Sequence, residues 1–399
     1  MNIKIIIIIL ISLLIIPVTN PADPDTASPS PDISPPIHAA QVPTFQCKTL
    51  YEVENKIKEM KRSGVDTIIV RVFQNDGDRF YSFADRNNRV GVYFKTPHAP
   101  LVDDILGDLV EIAHRNRMKI FAWMTTRRCD WKIYERPDLR GYKYDIESGG
   151  IIPTNGLNIF NKEVQRYLRD IYIDLAAYDI DGILFQDDLI LRHTEGYSQE
   201  AVNLYMTESG HRVNPNDMFR GIYEKSGKYF VSYYTPKFWI WAKWKNRQIL
   251  NLVEAMMGSA RSVNPDLKFA LNLYYETITD PKNALAWLSQ DMNAALKCNF
   301  DYYSLMAYHR QIKKELQLSN KELYIFLKDM TTKMIDLIDN PNKILMKVQV
   351  VDWDTNIPIP HREIDKVFES ITSQGRVSLA FTPVTKYLPL KVIRKYYLP

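Results

Sequence analysis

Residues 181–188 of the chain run DGILFQDD. A polar start at Asp181 gives way to the apolar run Ile183, Leu184, Phe185, which stops at Gln186 and two adjacent carboxylates, Asp187 and Asp188. So short an apolar run fits a strand buried on both faces, as in a parallel sheet. With its own Gly182–Asp187, the chain carries seven such runs: Thr67–Phe73, Lys119–Met124, Gly182–Asp187, Lys268–Leu273, Tyr302–Ala307, Ile344–Val351 and Val377–Phe381. Stretches with apolar residues at helical spacing lie between them, among them Val102–Arg115, Val164–Ala177 and Phe238–Met257. Strand–helix alternation of this kind predicts an α/β fold, a TIM-like (β/α) barrel of seven or eight parallel strands in one domain. The eighth strand is expected around Gly91–Phe94 or within Leu189–Asp266. A doubly wound sheet is the competing arrangement, but no glycine-rich phosphate loop follows the first strand.

The remaining composition narrows the function classes. Charged residues make up 25%, and 51 basic against 47 acidic residues leave a net charge of +4 with no concentrated patch, which argues against a nucleic-acid surface. Cys47, Cys129 and Cys298 are too few and too widely spaced for a disulfide framework, and one bridge stays open. No metal-ligand spacing, nucleophile elbow or P-loop occurs, so neither a metal nor a cofactor is expected. The apolar run from Ile5 to Val18 after Lys4 is short for a membrane span and fits an export signal or signal-anchor over residues 1–19. Residues 20–43, rich in Pro, Ser and Asp, then read as a linker, with His38-Ala39-Ala40 a late cleavage candidate and the barrel occupying 44–399. These readings predict a periplasmic or secreted protein touching membrane only through its N-terminal segment.

In barrel enzymes the chemistry sits where strands end and loops begin. The carboxyl ends of the predicted strands carry Asp76 and Asp78, Trp123, Gln186 with Asp187 and Asp188, Tyr274 and Glu276, Tyr308, and Asp352 with Trp353. The opposite ends are expected to show no such set. Acids and aromatic rings gathered at one rim suit sugar: rings stack on its C–H faces, and carboxylates act as acid and base. Alternation puts Leu184, Gln186 and Asp188 on one face and Ile183, Phe185 and Asp187 on the other, and parity alone does not say which faces the lumen. Asp188 is taken as the acid, with Asp187 orienting it or touching sugar. Strand-end aspartates also cap helices, and His309 reads as a loop histidine rather than a base.

Several segments in one order carry a family resemblance: RVFQNDGD (71–78), KIFAWM (119–124), DGILFQDD (181–188), WAKWKNRQIL (241–250), ALNLYYE (270–276), WLSQ (287–290), FDYYSLMA (300–307) and VQVVDW (348–353). From about residue 66 to residue 383 the chain resembles the family 153 glycoside hydrolase barrels, the hydrolase domain of proteins that process poly-β-1,6-N-acetylglucosamine. The resemblance implies endo-hydrolysis or binding of a partly de-N-acetylated exopolysaccharide, in an acidic groove of Asp76, Asp78, Asp187, Asp188 and Glu276 matched to its cationic units. It also implies a polysaccharide partner and other synthesis or export proteins. Gln186 stands where the family has a histidine, and YHRQ (308–311) replaces a Met-Pro-Tyr-type segment. DGILFQDD and LMAY also look like family 18 chitinase motifs, with Asp188 at the catalytic glutamate's place and Leu184 and Gln186 replacing the intermediate acids. A non-catalytic polysaccharide-binding barrel and a chitinase-like or galactosaminoglycan-type linkage specificity are the alternatives.

Overall fold

The computed structural model describes residues 36–384 and 387–397, so the expected export segment and most of the expected linker lie outside the described residues. Eight parallel strands close into a barrel. They are β1 (His38–Val42), β2 (Thr67–Arg71), β3 (Lys119–Met124), β4 (Gly182–Phe185), β5 (Lys268–Tyr274), β6 (Tyr302–Ala307), β7 (Ile344–Gln349) and β8 (Ser378–Thr382). A major helix follows each strand: α1 (Leu50–Arg62), α2 (Leu106–Arg115), α3 (Lys162–Ala176), α4 (Pro236–Arg261), α5 (Pro281–Leu288), α6 (Asn320–Leu337), α7 (His361–Thr372) and α8 (Leu390–Tyr397). The predicted helix from Val102 starts instead at Leu106, because Asp103 and Asp104 are held in loop contacts with Asp85 N and the Tyr178 hydroxyl.

The eighth strand is not where the sequence reading put it. Gly91–Val92 pairs antiparallel with Phe73–Gln74 in a small outlying ladder. The segment after β4 forms an exposed antiparallel hairpin, Phe219–Lys225 with Lys228–Tyr234. The missing strand is β1, inside the segment assigned to the linker, where it pairs with both β8 and β2 and closes the barrel. Its Ala39, Ala40 and Val42 are fully buried. A run of small residues among prolines has little strand signal of its own; tertiary pairing decides it. The folded body therefore begins by Pro36, and a cut after Ala40 would remove most of β1.

Period-two alternation sorts every strand into an outward and an inward set. One inward residue from each strand, Ala39, Ile69, Phe121, Leu184, Ala270, Tyr302, Leu345 and Ala380, forms an apolar cluster filling the lumen. The alternate residues, such as Ile68, Ile183 and Phe185, belong to the main core. Leu184 settles the parity question: Gln186, two residues on, faces the lumen.

The amino ends of the strands carry an unexpected device. Asp66, Asp181 and Asp301, each just before an even-numbered strand, accept backbone N–H bonds from the preceding odd strand: His38 N at 3.0 Å, Ile120 N at 2.8 Å and Phe269 N at 2.9 Å. Contrary to expectation, acids do recur at this end, and they tie strand to strand in pairs.

Candidate active site

Two residues above the apolar plug, every strand presents a side chain able to hydrogen-bond: Gln41, Arg71, Trp123, Gln186, Asn272, Ser304, Lys347 and Thr382. Arg71, Asn272, Ser304 and Lys347 are buried. Several atoms here have no partner among the described residues: Gln41 Oε1, Arg71 Nε, Trp123 Nε1, Gln186 Oε1 and Ser304 Oγ, with Gln349 Oε1 one layer higher. Buried polar atoms are ordinarily satisfied. A ring of unsatisfied ones at the carboxyl mouth marks a surface built to meet water or a polar ligand.

Asp187 stands over this layer. Burial pushes its carboxyl up from the ordinary value, the Lys347 charge pulls it back, and the neighbouring Asp188 pushes it up again. Lys347 is buried, donates to Asn272 Oδ1 at 3.0 Å and lies 5.7 Å from the centre of the Tyr308 ring. Burial lowers its ammonium to about 8. Asn272 is fixed in turn by its bond to Phe185 O. The phenols of Tyr274 and Tyr308 are both raised by burial and then by the Asp187 charge, which places them around the same carboxyl.

Asp188 does something different. Its carboxylate accepts from Thr125 Oγ1 at 2.7 Å, Thr126 Oγ1 at 2.7 Å, Thr126 N at 3.0 Å and Arg128 N at 2.6 Å. Four donors hold it against the loop after β3, and they occupy both oxygens.

The other predicted residues reach the rim, but most of the acids there are already paired. Asp76 is gripped by Arg89 at 2.5 Å, which holds its carboxyl below the usual range. Asp78 meets Arg71 at 3.3 Å. Asp352 accepts from Thr355 and from Arg310, and both pull its carboxyl well down. Only Glu276 resembles Asp187: burial raises it, and its Oε2 has no partner. The expected acidic groove is therefore largely neutralised by arginine. Trp123 lies in the lumen against Phe73. Trp353, 46% exposed, meets Tyr308 edge-on at 4.6 Å and borders a cavity of about 530 Å³ with Gln349, Asp352 and Arg310.

Residues that the sequence reading passed over also stand here. Lys347 is one; a lysine inside ILMKVQ, at the same parity as Leu345, was a signal. Trp287 on α5 stacks on His193 at 4.1 Å, while Ala284 and Leu288 of that helix pack with Ile190 and Tyr274. Arg140 joins from the antiparallel pair Arg140–Tyr144 with Ile151–Leu157, and Arg192 from the loop after β4, and neither left a periodic trace. Cys47, Cys129 and Cys298 are all free thiols.

A closed (β/α) barrel with a polar, carboxylate-bearing mouth at its carboxyl rim is the architecture of glycoside hydrolases. The chain belongs to the family described as hypothetical glycosyl hydrolase family 13, whose model matches residues 49–382. It is similar to the poly-β-1,6-N-acetyl-D-glucosamine N-deacetylase of Escherichia coli, 24% identical over 319 residues, covering 77% of this chain and 44% of the relative. The chain thus spans under half the length of that curated protein. Among solved structures, the PgaB (BpsB) glycoside hydrolase domain from Bordetella bronchiseptica superposes with a TM-score of 0.68 at 19% identity, over 88% of this chain and 94% of that one. The catalytic domain of a β-amylase from Paenibacillus polymyxa gives 0.57 at 11% identity, over 91% and 98%. The fold is a PgaB-like hydrolase-domain barrel.

Proposed function

We propose that the protein is an endo-acting glycoside hydrolase on an exported, partly de-N-acetylated β-1,6-N-acetylglucosamine polymer, with Asp187 as the general acid. The observation that carries this is the place of half-buried Asp187 among Lys347, Tyr274 and Tyr308 above a ring of unsatisfied polar atoms, where burial raises its carboxyl. A general acid must keep its proton until the leaving oxygen needs it, and burial serves that end. Asp188, the acid expected from the sequence, accepts from four donors and suits the part of an anchor for the loop after β3. Glu276 is the candidate partner carboxylate. Trp353 and Trp287 offer exposed faces on which sugar rings can stack.

The test is product release from partly de-N-acetylated β-1,6 oligomers. Asp187→Asn should lower kcat by about 10²–10⁴, the usual worth of a positioned acid, with little change in binding. Asp188→Asn should act mainly by loosening the 125–128 loop and raise KM as well. Equal turnover by wild type and Asp187→Asn would remove the assignment.

A second reading, a barrel that binds polymer and guides it without cleaving, is favoured by Gln186, whose Oε1 is buried without a partner where the resembled family has a histidine. Oligomer binding with no product from any linkage in a glycan panel would select it. Placement outside the cytoplasm, beside other polysaccharide assembly proteins, belongs to the same proposal; a tagged chain recovered only from the cytoplasm would end that part.

A further inference from the structure

The wall that Asp188 closes has a second face. On it lies a cavity of about 560 Å³, within the size range of ligand sites, lined by arginines 127, 128, 140 and 192 and by acids 76, 130, 188 and 195. The acids are all engaged. Asp76 is held by Arg89 from outside the cavity, and Asp130 by the backbone N of Asp76 and by Arg128 at 3.8 Å. Glu195 is held by Arg127 at 3.1 Å and by the backbone N of Arg192 at 2.8 Å. Asp188 has its four donors. The arginines do not balance so neatly. Neither Arg140 nor Arg192 has a side-chain hydrogen bond or ion pair among the described residues; Arg192 is exposed, whereas the Nε of half-buried Arg140 is buried without an acceptor.

A desolvated guanidinium N–H without an acceptor is costly, and a planar carboxylate is the acceptor that matches its fork. The backbone that presents Arg192 is also fixed in advance. Buried Lys245 donates to Arg192 O at 2.9 Å and to Glu195 O at 3.0 Å, under the turn at Gly196. That glycine has φ +98°, and a Cβ there would fall 2.9 Å from the Lys245 side chain.

We propose that Arg140 and Arg192 form a carboxylate subsite, and that the glycan therefore bears acidic substituents as well as free amines. The inference rests on the glycan reading above. Arg192 also lies close enough to Asp187 and Glu276 to pull both carboxyls down, so the subsite borders the acids that would meet the amines.

Calorimetry on the full chain tests this with three forms of one β-1,6 oligomer: fully N-acetylated, partly de-N-acetylated, and the latter carrying O-succinyl groups. Free succinate is the fourth probe. The succinylated oligomer should bind about tenfold more tightly than its unsuccinylated parent, the worth of a well-placed charge-assisted contact, with the advantage shrinking as salt rises. Arg140→Gln with Arg192→Gln should abolish the advantage. Should that double variant fail to fold, the salt dependence of the wild type and the single Arg140→Lys variant, which keeps charge but not the fork, decide instead. Equal affinity for all three oligomers, or preference for the unsuccinylated amine form, overturns the subsite and leaves the glycan reading intact. Arginine-dependent succinate binding with no oligomer bound overturns the glycan reading and keeps the carboxylate site.

Discussion

Asp187 and Asp188 share a residue type and adjoin in sequence, yet their surroundings give them separate work. Asp187 is desolvated, with Lys347 supplying the charge that pulls its carboxyl down; Asp188 is fully hydrogen-bonded. Lys347→Met should therefore let the Asp187 carboxyl rise further. With Asp187 as the proposed general acid, active while protonated, the alkaline limb of the kcat profile should move to higher pH in this variant. The effect should be seen below about pH 8, where Lys347 carries its charge, and fade above it, where the wild-type lysine is itself neutral. An unmoved alkaline limb would mean that Lys347 does not act on the acid. Which of the two aspartates is free of close donors was not legible in DGILFQDD, because the partners lie in the loop after β3 and on β5 and β7, far away in the chain. The pair's place at a strand end was legible, since that needs only the hydrophobic run and its abrupt stop.

At the scale of elements, three aspartates join the strands in pairs at the amino end. Asp181 accepts from Ile120 N at 2.8 Å and from His114 Nε2 at 3.0 Å, so it holds β4, β3 and the end of α2 together. Asp181→Ala should lower unfolding stability by about 1–3 kcal/mol, the penalty for a buried N–H left unsatisfied. Asp181→Asn, which keeps an acceptor oxygen, should recover part of it. Denaturant unfolding curves check this; two curves superimposed on wild type would show the bond to be dispensable. Seven strands could be read from their apolar runs because they are buried on both faces and rich in Val, Ile, Leu and Phe. β1 could not: HAAQV offers little β-branching, and its prolines upstream resemble a linker. The exposed hairpin Phe219–Tyr234 was likewise invisible, being held by local cross-strand pairing rather than by burial.

For the molecule as a whole, closure is the property on which the site depends. The polar layer exists only because eight strands hold their inward residues at one height, and β1 contributes Gln41 to that layer and Ala39 to the plug below it. Without β1, the facing edges of β2 and β8 lose their ladder partners, and an open sheet edge is a template for association. A chain starting at Pro36 should therefore unfold cooperatively and stay monodisperse. One starting at Phe45, the boundary that composition alone suggests, should aggregate or melt far lower. The comparison needs only light scattering and thermal melts of the two proteins. A shortened form as stable as the longer one would show that the barrel tolerates a gap between β2 and β8, and that closure does not set the height of the polar layer.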